Sequence, residues 1–176
     1  MTHGVVSPYA VSGVFCVDVQ KNKRLFWKTY RDPVLATTLG VGEADKIEAA
    51  VTQSASTEDR GILLCGSRAA VFQVKYDVVF YVVGSSKTNE LLLNEVLCSI
   101  CEVFCTRRKE MDSEALLKDY ALFCFIVDEV VWDGVVVDID RESLLEKTTF
   151  QRGSKKAGFA SMFQTAASTL RKKFVK

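Results

Sequence analysis

The apolar positions of this chain change period several times, and each change marks an element. From Tyr9 to Val19 they fall on both parities, with Tyr9, Val11, Phe15, Val17 and Val19 on one and Ala10, Val14 and Cys16 on the other. A strand apolar on both faces belongs inside a sheet that is covered on both sides. Gln20-Lys21-Asn22-Lys23 is polar and turn-like, Arg24 to Tyr30 is the return strand, and Asp32-Pro33 stops it. After a Gly40-Val41-Gly42 hinge, Ala44, Ile47 and Val51 take up helical spacing over Glu43 to Ser54. Three strands follow: Ile62 to Cys65, Ala69 to Lys75 and Val78 to Val83. In the second, Ala70, Phe72 and Val74 are expected inward and Gln73 and Lys75 outward; the unbroken apolar run of the third marks a central strand.

Gly84-Ser85-Ser86 ends that run, and Thr88 to Arg108 is predicted to be a long helix capped by Ser86 or Thr88. A second helix is predicted from the cap Asp112 to about residue 131, then an extended Val135 to Ile139 and a helical turn over Glu142 to Lys147. The order is strand-strand-helix-strand-strand-strand-helix-helix. Residues 148–158 read as a linker. Beyond them Phe159, Met162, Phe163, Ala166, Leu170 and Phe174 recur at three and four residues, as in an amphipathic helix. The organisation expected is a flexible lead-in over 1–8, one domain over 9–147, the linker, and a helical tail over 159–176.

Charge narrows the function. The 176 residues hold 23 basic and 22 acidic side chains, without the basic excess of a protein held to phosphates. No apolar run approaches the roughly 18 residues of a membrane span, and the first residues lack a basic-then-apolar signal, so the chain reads as cytosolic. Its six cysteines are then expected as reduced thiols.

Chemistry is thinly supported. Cys98, Cys101 and Cys105 share one helix, where Cys98 and Cys105 stand about 10.5 Å apart along the axis. Zinc–sulfur bonds of about 2.3 Å do not span that distance, and Cys98 with Cys101 lacks a second ligand pair. A thiol or serine nucleophile needs a base beside it, and the single histidine, His3, lies in the lead-in. Gly40-Val41-Gly42 and Gly153-Ser154-Lys155 lack phosphate-loop spacing. Asp128-Glu129 reads as a solvated helix end. The expectation is a non-enzyme with no metal and no cofactor; a thiol or redox enzyme is the remote alternative.

Binding has better support. In the helix from Thr88 the polar residues Glu95, Ser99, Glu102 and Thr106 form a narrow stripe, and the apolar remainder, including Leu92, Val96 and Val103, exceeds what one sheet contact needs. Either the following helix covers the excess or a partner does. The strand from Arg24 is apolar on both faces, with Leu25 and Trp27 on one and Phe26 and Tyr30 on the other. An edge strand of that kind is usually covered by something. The candidate contact residues are therefore Leu25, Phe26, Trp27, Tyr30, Leu92, Val96 and Val103, with Phe159 and Phe163 in the tail.

Several segments resemble one family. Phe80-Tyr81-Val82-Val83-Gly84-Ser85-Ser86, Asn89-Glu90-Leu91 with Leu93 and Val96-Leu97, and Val127-Asp128-Glu129-Val130-Val131 ahead of Gly134-Val135 are similar to the coatomer zeta family of vesicle-coat small chains. Asp18 and Arg24-Leu25-Phe26 before Tyr30 match its first hairpin. The resemblance implies the longin, or SNARE-like, α+β fold: a five-stranded, mostly antiparallel sheet with one helix on one face and two on the other. It also implies a structural role in the COPI coat, with the large gamma subunit as constitutive partner. Beta and delta subunits and an Arf-type GTPase would be reached through that pair. The process implied is transport from Golgi to endoplasmic reticulum and within the Golgi. The sigma chains of clathrin adaptors, which accept dileucine sorting signals, are the related alternative. Where they carry a Val-Cys-Glu-Leu-Asp stretch, this chain has Arg108-Lys109-Glu110-Met111-Asp112. Trp132-Asp133-Gly134 departs from the zeta pattern, in which a Gly pair after Asp is usual.

Overall fold

The computed structural model describes residues 10–154 apart from 33, 34 and 36. The lead-in over 1–8 and the tail over 159–176, with Phe159 and Phe163, lie outside the described residues. Strands β1 (Gly13–Asp18), β2 (Lys23–Thr29), β3 (Arg60–Cys65), β4 (Arg68–Lys75) and β5 (Val78–Ser85) form one sheet in the order β2-β1-β5-β4-β3, antiparallel throughout. Hairpins join β1 to β2, β3 to β4 and β4 to β5. The left-handed residues their tight turns need are Asn22 (φ 47°), Gly66 (φ 63°) and Tyr76 (φ 55°).

Each face of the sheet carries its own core. Helix α1 (Val41–Ala55) lays Ala44, Ile47 and Val51 on Phe15, Val17, Phe72, Val79, Tyr81 and Val83. Phe15 and Tyr81 stack beneath it, ring centroids 4.9 Å apart and 5° from parallel. On the other face α2 (Glu90–Arg108) packs Leu93, Val96, Leu97, Ile100 and Phe104 on Val14, Cys16, Val71, Phe80 and Val82. The expected layering of one helix against two is present, with an addition. The second long helix is two helices, α3 (Ser113–Lys118) and α4 (Tyr120–Val130), broken at Asp119 (φ −117°, ψ 37°). The break shifts the buried face: Leu116 of α3 and Phe123, Ile126, Val127 and Val130 of α4 are interior, while Leu117 and Tyr120, expected on one face with Leu116 and Val127, are exposed. After the short β6 (Val131–Trp132) and β7 (Val135–Val136), α5 (Arg141–Ser154) closes over α2 and α4. It runs through 148–154, which the sequence reads as linker. Thr148 is buried there and accepts from Arg107 Nε at 2.9 Å.

Other details differ from expectation. The cap of α2 is Asn89, whose side chain accepts from the Leu91 N–H at 2.9 Å. Thr88 is instead buried against Ser85 and the Ala10 carbonyl. Gln73 does not face solvent: it is 5% exposed, because α2 covers that face of β4.

A buried ion pair ties the β2–α1 crossover to the sheet. Arg68 (1% exposed) and Asp32 (0%) meet at 2.7 Å. Arg68 also donates to Ser12 Oγ at 2.8 Å, Thr37 Oγ1 at 3.3 Å and Glu43 Oε1 at 3.2 Å, while Asp32 accepts from Ser12 Oγ and the Leu35 N–H. Removing Arg68 takes a buried positive charge from beside Asp32, and removing Asp32 takes from Arg68 the nearer of its two carboxylates. Arg68→Met is expected to lower unfolding stability by about 3–5 kcal/mol, and Arg68→Met with Asp32→Leu to recover part of it. Denaturant titration of both variants checks the pair.

Candidate interaction surface

The residues expected to meet a partner divide sharply by burial. Phe26 (4% exposed), Tyr30 (6%), Val96 (0%) and Val103 (1%) are interior. Phe26 and Phe104 set their rings edge-on to Phe123 at 5.0 and 5.4 Å. The Tyr30 hydroxyl points at the Val131 carbonyl. These four correct the expectation: α4 and α5 cover the apolar excess of α2, and α4 covers the inner face of β2. No second chain is needed for either.

Leu25 is corrected for another reason. Cys16 pairs with Phe26 and Val17 with Arg24, so β2 holds one extra residue between them. That bulge turns Leu25 away from the Trp27 face and onto the core shared with Phe26. Trp27 remains on the α1 side of the edge, 41% exposed, with the Arg24 guanidinium 4.6 Å from its ring centroid. Arg24 is itself held by Glu48 (2.6 Å) and Asp45 (2.8 Å) of α1. Leu92 is half-buried.

Three exposed apolar groups went unrecognised in the sequence. The first is on β3, the other sheet edge. Leu63 and Cys65 pack under α1, while Ile62 (54% exposed) and Leu64 (69%) stand on the α2 face beyond the reach of that helix. Leu64 pairs with Ala69, and Ala69 with Gly84, which Leu93 and Thr88 approach. The first turn of α2, with Leu91 73% exposed, therefore lies toward this end of β3. At the other end Arg60 stands near enough to Cys98 to oppose the upward push of burial on that thiol. The flank is apolar at one end and carries charges of both signs at the other, where Glu95 and Glu102 also act on Cys98.

The second group is the β6–β7 ribbon, where Trp132 (69%), Val135 (43%), Val137 (63%) and Ile139 (37%) are exposed. The turn uses Asp133 (φ 48°) and Gly134 (φ 80°), so the Trp132-Asp133-Gly134 departure retains a tight hairpin. The third group is Leu117 with Tyr120, on α3 and α4. The missed signal was positional: Ile62 and Leu64 share a parity on a short strand next to a turn, as an edge strand allows.

Burial holds five of the six thiols above the ordinary thiol range. Burial pushes Cys16 and Cys101 well up, with neighbouring thiols adding to it, and burial also raises Cys65, Cys98 and Cys124. At pH 7.5 a maleimide should label Cys16 and Cys101 only as fast as the chain unfolds. Labelling at the rate of a free thiol, with the fold intact, would revive a thiol reading.

Interior and surface assignments are separable by mutation. Phe26→Ala is expected to reduce stability by about 3–5 kcal/mol, and Leu64→Ser by no more than about 0.5 kcal/mol. Similar losses in urea titrations would mean that Leu64 is covered within the domain.

With this geometry in place, comparison with known proteins is informative. The clathrin adaptor complex small chain family matches residues 11–154. Coatomer subunit zeta-1 of Homo sapiens is 30% identical over 82% of this chain and 80% of its own. Coatomer subunit zeta-2 of Mus musculus is 29% identical over 94% of this chain and 80% of its own. The probable coatomer subunit zeta-B of Dictyostelium discoideum is 25% identical over 79% and 80%. Among solved structures, a chain of a homology model of the full-length AP-3 complex in a stretched open conformation superposes with a TM-score of 0.61. It is 10% identical, covering 83% of this chain and 96% of that one, and the likeness supports the shared fold.

Proposed function

Because the chain belongs to the clathrin adaptor small-chain family and is similar to coatomer zeta subunits along most of its length, we propose that it is the small structural subunit of a COPI-type coat. Its constitutive partner in this reading is the large gamma subunit. Beta and delta subunits and an Arf-type GTPase are reached through that pair. The coat brings the chain to Golgi membranes, for traffic back to the endoplasmic reticulum and within the Golgi. Among the described residues no helix is long and apolar enough to cross a membrane. The mechanism is assembly by burial; no bond is made or broken.

The observation that carries this reading is the exposure of Ile62 and Leu64 on an edge strand. Among the described residues the outer backbone edge of β3 has no strand beside it. Burying each side chain contributes about 1.5–3 kcal/mol before the costs of association. Trp27, at the opposite edge, is the second contact proposed, as expected of a small chain cradled by a larger one.

The same flank favours one rival. An apolar pair beside Leu91, with Arg60 at the far end, has the chemistry to take a dileucine peptide carrying an acidic residue, as sigma chains do. Ile62→Asp and Leu64→Asp are each expected to weaken gamma co-purification by roughly ten- to a hundredfold, with the fold intact by circular dichroism, and Trp27→Asp to weaken it less. Full recovery of gamma with all three variants would remove the proposed contact. Saturable binding of an acidic dileucine peptide, lost in Leu64→Asp while gamma capture persists, would favour the sigma-type reading.

A further inference from the structure

The two edges of the sheet are guarded unequally. β2 carries Lys23, Arg24 and Lys28, and the bulge lies in its pairing with β1. Charges and bulges are what keep a strand edge from pairing with another chain. β3 has neither device. Between Arg60 and Arg68 the chain reads Gly-Ile-Leu-Leu-Cys-Gly-Ser, with no charge and no proline, and the pairing with β4 runs without a shift from Arg60 to Cys65.

The direction of the β3 backbone groups follows from β4. The Val74 N–H donates to the Asp59 carbonyl at 2.8 Å, in register with the pairs Gly61–Phe72 and Leu63–Ala70. Antiparallel alternation therefore turns the N–H and C=O of 61, 63 and 65 toward β4, and those of Arg60, Ile62 and Leu64 outward. The outward-bonding residues Ile62 and Leu64 are also those with exposed apolar side chains.

We propose that β3 pairs antiparallel with β3 of a second copy of this chain, across a two-fold axis at Leu63, so that Ile62 of each copy stands opposite Leu64 of the other. The pairing needs no other protein and is independent of the coat reading. It uses the side chains of the proposed gamma contact, so the two associations exclude one another.

The register follows from the sequence of the edge. Only outward-pointing residues exchange hydrogen bonds across the new ladder, so even-numbered residues must meet even-numbered ones. An axis at Ile62 would set Arg60 against Leu64, and one at Gly61 would set Leu64 against Glu58. An axis at Leu64 would leave Ile62 facing Gly66. The axis at Leu63 sets apolar against apolar at both positions and brings Arg60 opposite Gly66, away from any like charge. Each copy has one such edge, so the pairing closes at two. So short a ladder buries less than the roughly 1,200–2,000 Å² of a standard interface, which makes the dimer concentration-dependent.

Sedimentation of the purified full chain over a range of concentrations tests this. A monomer–dimer equilibrium is expected, weakened by about tenfold or more in Ile62→Lys and in Leu64→Glu. Mixed in equal amounts, the two variants should pair nearly as tightly as the unsubstituted chain. The axis at Leu63 sets the introduced ammonium opposite the introduced carboxylate and leaves the other Ile62–Leu64 pair intact. Trp27→Lys, at the opposite edge, should leave the equilibrium unchanged, and circular dichroism should show all three variants folded. The proposal is overturned if the unsubstituted chain stays monomeric at the highest concentrations reached, or if Trp27→Lys disrupts the dimer as strongly as the β3 variants do. A mixture no tighter than either variant alone would overturn it too. Since only this chain is present, a monomeric result leaves gamma capture to its own test.

Discussion

Burial of both faces of β1 and β5 is the constraint on which the remaining architecture depends. Val14, Cys16, Val78, Phe80 and Val82 face one way and Phe15, Val17, Val79, Tyr81 and Val83 the other, all between 0 and 2% exposed. Two apolar faces need two covers, and the connections supply them: the β2–β3 crossover contains α1, and α2, α4 and α5 lie on the opposite face. Antiparallel pairing with short hairpins leaves β2 and β3 at the edges, where cover is thinnest.

The Arg68–Asp32 pair orients one of these covers. Arg68 lies at the start of β4, Asp32 just after β2, and Glu43 in the first turn of α1, so one guanidinium joins sheet, crossover and helix. A fully buried ion pair contributes less to net stability than to the choice among alternative packings. Here it holds Asp32 and Thr37 of the connection, and Glu43 of α1, to the start of β4.

The resulting surface has a division of labour. The interior faces are sealed by the chain's own helices, including the α2 flank that Leu92, Ser99 and Val103 share, where the Ser99 hydroxyl donates to the Ile139 carbonyl at 2.9 Å. Among the described residues, the apolar groups that stay open include Ile62 and Leu64 on β3, Trp27 on β2, the β6–β7 ribbon, and Leu117 with Tyr120 on α3 and α4. The sheet therefore carries exposed apolar side chains at both of its edges. The family to which this chain belongs is that of the clathrin adaptor complex small chains.

Local pattern determined most of the element order, because strand and helix periods are written into consecutive residues. The five sheet strands, the placement of α1, and the apolar character of β1, β5 and α2 were all legible that way. So was the coat-family likeness, carried by segments such as Phe80 to Ser86 in β5 and Val127 to Val131 at the end of α4. What the tertiary structure alone decided is which apolar residues are left over. Phe26, Tyr30, Val96 and Val103 looked available because their covers, α4 and α5, come from distant parts of the chain. Leu25 changed faces through a bulge set by pairing with β1, and Gln73 was buried by a helix that starts 17 residues later. Ile62 and Leu64 looked like ordinary strand residues until the sheet order put β3 at an edge. Apolarity is a property of a residue, but exposure is a property of what crosses over it, and only long-range packing settles that.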